Sequence, residues 1–221
     1  MTADLGGLLL RTLVVAAAAT AIAAPPAIVL GWYFARRSFP GKDVLSTLVL
    51  LPMVLPPTAV GILLLRLFAA DGWFGALDLG IVLSLRGAVA ASAVMAFPLI
   101  VRTARASFEA LDPRLEAMSR TLGSGRLRTF LTVSLPLAGR GLTAGVLLGF
   151  ARALGEFGAT IMVAGNVPGR TQTLPSAIFA AQQSGDDARA NVLMGAAVAL
   201  GFVALLGSER LVRARGGERR A

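Results

Sequence analysis

Between Leu142 and Ala164 lies an apolar run, long enough to cross a bilayer, whose only charges are Arg152 and Glu156. Four residues apart, they share one helical face, and each is costly alone in low dielectric, so they must pair or border a wet cavity. Gly149, Gly155 and Gly158 on the same run permit close backbone approach. The rest of the chemical inventory is narrow. With no histidine and no cysteine, the chain has no thiol nucleophile, no imidazole base and no His/Cys metal set. Its one lysine, Lys42, follows Pro40-Gly41 in a short basic loop, and no GxxxxGK[ST] phosphate loop is present, so ATP has no such cradle here. An intramembrane hydrolase, the distant alternative, needs a base beside Ser or Thr. The spans offer no His or Lys for that, and Glu156 already faces Arg152. No catalytic residue and no metal ligand set are expected, and energy must come from another subunit or an ion gradient.

The elements that position this pair follow from composition. Of 221 residues 56% are hydrophobic and 15% charged, and the mean hydropathy is +0.74, too apolar for a soluble domain. A bilayer core of ~30 Å needs about 20 apolar residues per helix. Five segments qualify: 8–34, 45–68, 82–101, 142–164 and 190–206. They predict an all-α, polytopic membrane bundle forming a single domain over 1–221, with a cytoplasmic loop at about 102–140. Arg86 leaves the third span short unless its guanidinium snorkels at the interface. The net charge of +9 falls mainly between and after the apolar runs: Arg36, Arg37 and Lys42 after the first, Arg102 through Arg140 after the third, Arg210, Arg213, Arg215, Arg219 and Arg220 after the fifth. All three basic regions lie on one side, which predicts an external N-terminus and a cytoplasmic C-terminus. Asp71, Asp78, Asp186 and Asp187 mark the outer loops 70–85 and 165–189. A nucleic-acid role is excluded, since the chain is mostly lipid-compatible and poor in aromatics. The N-terminus lacks a basic n-region and is expected to be a retained first span.

Prolines punctuate the spans: Pro25-Pro26 in the first, Pro52, Pro56 and Pro57 of LPMVLPP in the second, Pro98 in the third. Each removes a backbone hydrogen bond and is expected to kink or break its helix. Backbone freed in this way normally lines a cavity or is buried in protein, so the LPMVLPP cluster is a candidate part of a pathway or hinge. The outer segment 166–187 is too polar to span, yet LPSAIFAAQ at 174–182 has the apolar content of a short helix that dips toward the membrane. On the cytoplasmic side, Asp112 as N-cap, Pro113 at the first helical position and Gly123 as stop predict a helix over 113–122. Leu115, Met118 and Leu122 form an apolar knob on one face, and Glu116 and Arg120 are spaced to pair on another. Such a helix either docks into a partner protein or lies on the inner leaflet.

This stretch resembles the cytoplasmic coupling loop of ABC importer permeases, whose pattern is Glu-Ala-Ala, a Gly shortly after and a later Leu-Pro. Here Glu116-Ala117, Gly123 and Leu135-Pro136 fill those places; Met118 replaces the second Ala, and the Glu-to-Gly spacing is one residue longer. GFARALGEFGATIMVAGNVPGRTQTLPSAI at 149–178 closely resembles molybdate permeases, and LPMVLPPTAVG and SLRGAVAASAVMAFPLIVR look like their second and third spans. The resemblance implies an inner-membrane permease subunit that moves molybdate by alternating access, or alternatively tungstate, sulfate or thiosulfate. It further implies a homodimer, two cytoplasmic ATPase subunits that bind ATP and Mg, and an external molybdate-binding protein. In that setting Leu115, Glu116, Ala117, Met118, Leu122 and Gly123 are the candidates for coupling to the ATPase. Arg152 becomes a weak electrostatic guide for a divalent oxyanion, with Glu156 cancelling much of its charge, because transport needs shallow sites. The alternative is a structural pair locking the dimer or neighbouring spans. In the outer loop Asn166, Arg170, Thr171 and Gln172 can donate hydrogen bonds to an oxyanion or a docked protein, or form an ordinary solvated loop.

Overall fold

The computed structural model describes residues 5–74 and 79–217; Asp78, Arg219 and Arg220, used above for orientation, lie outside them. The bundle is centred on two long helices, α1 (Leu5–Arg36) and α4 (Leu85–Glu109), which pack along much of their length. Their seam is built from small residues. Ala16, Ala19, Ala23, Ala27 and Gly31 recur every three or four positions along α1 and are all buried. A Cβ at Gly31 would fall 2.7 Å from the Ala104 Cβ of α4, so glycine there sets the interhelix distance.

The structure departs from the sequence expectation at several prolines and boundaries. Helix α1 runs unbroken through Pro25-Pro26. Both rings lie on the exposed side of the helix, while Ala23, Ala24 and Ala27 keep the opposite face packed against Ile100 and Val101. Pro98 is likewise accommodated inside α4, which continues past Arg102 to Glu109. Its last turns are held because Ala104 and Phe108 are buried against Phe130, Ala138 and Leu142.

The second span does break. Helices α2 (Lys42–Val54) and α3 (Pro57–Phe68) meet at 110°. The break falls at Leu55-Pro56 and not at Pro52, which lies inside α2; Pro57 takes the first position of α3, where its missing N–H costs nothing. The fourth span also breaks, contrary to the continuous run expected. Helix α8 (Gly139–Leu154) ends at Gly155 and α9 (Gly158–Ala164) starts afresh. Glycine on both sides of Glu156 weakens the helix there, and Glu156 itself supplies a local cap described below.

Between α4 and α8 the chain forms α5 (Pro113–Thr121), α6 (Arg126–Thr129), a π-helical turn (Phe130–Ser134) and α7 (Leu135–Leu137). The segment 126–137 meets α8 at 76°. The short outer helix expected at 174–182 is α10 (Leu174–Gln183), closed at its start by a Thr173/Ser176 capping box. At ~1.5 Å per residue it is about half a bilayer core in length. It packs on α11 (Asp187–Gly217) and the start of α1 through Leu174, Ala177, Ala181, Ala190, Leu193 and Leu8. By length and apolarity, three helices among the described residues can span alone, and the two bent pairs raise that to as many as five.

Candidate functional site

Helix α5 forms as its local signals dictate. The Asp112 side chain accepts a hydrogen bond from the Arg114 amide at 2.9 Å, and Pro113 occupies the first turn. At the other end the Gly123 amide donates to the Arg120 carbonyl and the Ser124 amide to the Ser119 carbonyl. With Gly123 at φ +85°, this is a Schellman stop. Leu115, Met118 and Leu122 point away from the bundle, with 42%, 62% and 85% of their surface uncovered. Leu115 and Met118 lie on this nine-residue helix and Leu122 is its C-cap; all three are exposed among the described residues, which suits docking. Ala117 is exposed beside them.

Glu116 corrects the sequence reading. Its carboxylate does not pair with Arg120; instead Oε1 accepts from Arg36 Nε at 2.8 Å and from Ser134 Oγ at 2.7 Å. Arg120 Nε donates to the Glu116 backbone carbonyl at 3.3 Å. Only 8% of Glu116 is exposed, so it faces the bundle while the knob faces out. The spacing of the coupling-loop pattern, counted back from Gly123, falls on exposed Ala117. The i, i+4 rule suggested Arg120, but a buried carboxylate gains more from a guanidinium and a hydroxyl already held by packing.

Arg152 and Glu156 do meet, Nη1 to Oε2 at 2.5 Å, although Glu156 lies beyond the end of α8. Its other oxygen, Oε1, accepts from the Ala159 amide at 2.8 Å, so the carboxylate also satisfies an open donor at the start of α9. The Glu156 side chain is 1% exposed and that of Arg152 33%. The two helix breaks adjoin. A Cβ at Gly158 would fall 2.8 Å from the Pro57 Cβ, and one at Gly61 2.7 Å from the Ala159 carbonyl oxygen. Helices α3 and α9 therefore pack backbone to backbone just beyond Pro56 and Glu156. Two interrupted helices side by side give the bundle a place to bend, and Pro56, Pro57 and the Arg152–Glu156 pair border it.

The polar loop before α10 is more internal than its composition suggested. The Thr171 and Gln172 side chains are buried, and Thr171 Oγ1 accepts from the Val167 amide at 3.0 Å. Asn166 Nδ2 donates to the Ser176 carbonyl at 3.4 Å. Of the four candidates Arg170 alone is exposed. Sequence reasoning passed over what folds this loop inward. Arg11 Nε donates to the Gln172 carbonyl at 3.1 Å, and Thr12 Oγ1 accepts from the Leu174 amide at 2.8 Å. A lone arginine early in the first apolar run was the available signal. Arg36 and Ser134, the partners of Glu116, were also missed, and pattern at 80 and 18 residues' separation offers no signal for them.

Known proteins are similar to this chain in sequence and in fold. The chain is 44% identical over 213 residues to the molybdenum transport system permease protein ModB of Escherichia coli (strain K12), covering 92% of each. It is 36% identical over 183 residues to the sulfate transport system permease protein CysT of the same strain, covering 79% of this chain and 66% of that one. Its fold matches inward-facing MetNI methionine ABC transporter structures, with TM-score 0.74 over 96% of both chains at 18% identity. Residues 27–214 match the binding-protein-dependent transport system inner membrane component family. The chain belongs to that family of ABC importer permeases, and it is a transport subunit rather than an enzyme.

Proposed function

We propose that the chain is the molybdate-translocating permease subunit of an ATP-driven importer. The observation that carries the mechanism is the uncovered knob of Leu115, Met118 and Leu122 on a capped helix. It suits a groove on a cytoplasmic ATPase, which would bind ATP and Mg. Two copies of the chain, two ATPases and an external binding protein would form the transporter. Motion of α5 would be passed to the spans, which alternate their opening about the adjoining breaks at Pro56 and Gly155. Molybdate is favoured over sulfate because the molybdenum permease is more alike and aligns over more of both chains. Tungstate, equal in charge and similar in size, would share the route, with selection made by the binding protein. Arg170, exposed in the loop before α10, would be the residue that touches that protein. In a cell lacking its own high-affinity molybdate importer, this chain with its cognate partners is expected to restore uptake from submicromolar molybdate. Restored sulfate uptake with no molybdate uptake would reassign the substrate.

The proposed orientation has an external N-terminus, with residues 42 and 126 cytoplasmic and 183 external. Because the chain has no cysteine, single cysteines at Lys42, Arg126 and Gln183 give clean reporters. An impermeant maleimide added to intact cells is expected to label position 183 and to reach 42 and 126 only after lysis. Labelling at 126 but not 183 in intact cells would invert the topology.

A further inference from the structure

Helix α5 shows an apolar face outward and puts one carboxylate inward. That carboxylate, on Glu116, joins three parts of the chain: Arg36 is the last residue of α1, and Ser134 ends the π-helical turn leading through α7 into α8. Arg36 is tied down a second time, its Nη2 donating to the Leu111 carbonyl at 3.3 Å just before α5. The Arg36 and Glu116 side chains are 12% and 10% exposed, and Ser134 is fully buried. The backbone of α5 itself lies mainly against the π-helical turn and α6. Helix α1, by contrast, packs on α4 and α8, so a displaced α1 moves the body of the bundle.

We infer that Arg36, Glu116 and Ser134 are positioning residues that carry movement of the coupling helix into the first span and into α8. The inference rests on the reading of α5 as a coupling helix. A carboxylate held by a guanidinium and a hydroxyl resists separation, because either ion left alone in a low-dielectric site is strongly penalised. The contact therefore transmits both push and pull, whereas an apolar contact with α1 would transmit only push. The exposed knob belongs to the ATPase side and the inward carboxylate to the membrane side of the same short helix. Assembly and coupling are thus assigned to different residues.

The test uses the complete transporter in lipid nanodiscs, with ATPase and external binding protein, and compares ATP hydrolysis with and without molybdate-loaded binding protein. E116Q and R36M are expected to co-purify with the ATPase yet lose about tenfold in stimulation by the loaded binding protein. R36K, which keeps an ion pair, is expected to stay closer to the parent than R36M. A purely structural role would lower yield or melting temperature and leave the stimulation ratio of the assembled fraction unchanged. That outcome, with E116Q and R36M stimulated like the parent, overturns the inference. If E116Q does not assemble, S134A decides, since it leaves the ion pair intact: about a threefold loss of stimulation is expected, and parental stimulation overturns the inference. Absence of stimulation in the parent itself would instead overturn the importer reading on which the inference rests.

Discussion

Met118→Asp is expected to abolish co-purification of the ATPase while leaving the chain inserted and folded. Met118 is 62% uncovered and its side chain contributes nothing to the core, so its loss has little to cost the isolated chain. In a docked complex it would be enclosed. Burying such an apolar side chain is worth ~1.5–3 kcal/mol, and an aspartate forced into the same groove adds an unpaired charge costing several kcal/mol more. At 1.4 kcal/mol per tenfold, the affinity falls by about two orders of magnitude or more. Gly123→Val probes the stop of the same helix by another route. No atom lies within 4 Å of a Cβ built there, so there is no clash; the penalty comes from φ +85°, about 1–2 kcal/mol for an L-residue and worse when β-branched. The Schellman bonds from Gly123 and Ser124 would loosen and the knob would be re-aimed. A several-fold weaker complex is expected, with Gly123→Ala milder than Gly123→Val. The checks are ATPase pull-down and ATP hydrolysis in proteoliposomes. Normal assembly and coupled uptake in both Met118→Asp and Gly123→Val would mean that α5 lies on the inner leaflet and is not a docking helix.

The helix that this experiment addresses was legible in the sequence because its determinants are local. Asp112, Pro113 and Gly123 act on backbone groups within a few residues of themselves, and periodicity alone places Leu115, Met118 and Leu122 together. The direction of Glu116 was not legible, because its partners come from α1 and from the turn before α7. Local spacing offered Arg120, and tertiary packing chose Arg36. The polar loop before α10 was misread in the same way. Polar residues in a connecting segment read as solvated, but Arg11 and Thr12, more than 150 residues earlier, supply hydrogen bonds that draw Gln172 and Leu174 inward.

Proline was an unreliable guide to where the spans break. Pro25-Pro26 and Pro98 do not interrupt their helices, whereas Pro56 does and Gly155 does without any proline nearby. The difference lies in what surrounds each site. At Pro25-Pro26 the packed face of α1 is continuous, so the seam with α4 holds the helix together. At Pro56 the pair Pro56-Pro57 removes consecutive amides and restarts a helix at its most favourable position. At Gly155 a carboxylate stands ready to cap the next helix, which compensates the broken ladder.

That cap makes the Arg152–Glu156 pair asymmetric, and substitutions should show it. Glu156→Ala removes both the partner of Arg152 and the acceptor for the Ala159 amide, so α9 loses its start as well as its charge balance. Breaking a buried ion pair costs ~3–5 kcal/mol; with Arg152 one-third exposed, we expect about 2–3 kcal/mol for the charge and about 1 kcal/mol for the cap. Glu156→Gln keeps an acceptor oxygen and should cost only the charge part. Arg152→Gln keeps the bond to the Ala159 amide but leaves a carboxylate that is 1% exposed without its counter-ion. It should cost at least as much as Glu156→Gln, which leaves only the one-third-exposed guanidinium unpaired. The double change Arg152→Gln with Glu156→Gln should be milder than the sum of its parts by about 1–2 kcal/mol. Thermal unfolding of the purified complex in detergent reads these differences, and strict additivity in the cycle would show that the pair is not coupled. Uptake then separates structure from route. The exposed side of the pair is Arg152, so an oxyanion passing the break at Gly155 would meet the guanidinium and not Glu156. If the assembled fraction of the Arg152→Gln transporter takes up molybdate at the parental rate, the pair serves α9 alone. Loss of uptake in that assembled fraction is the result we expect.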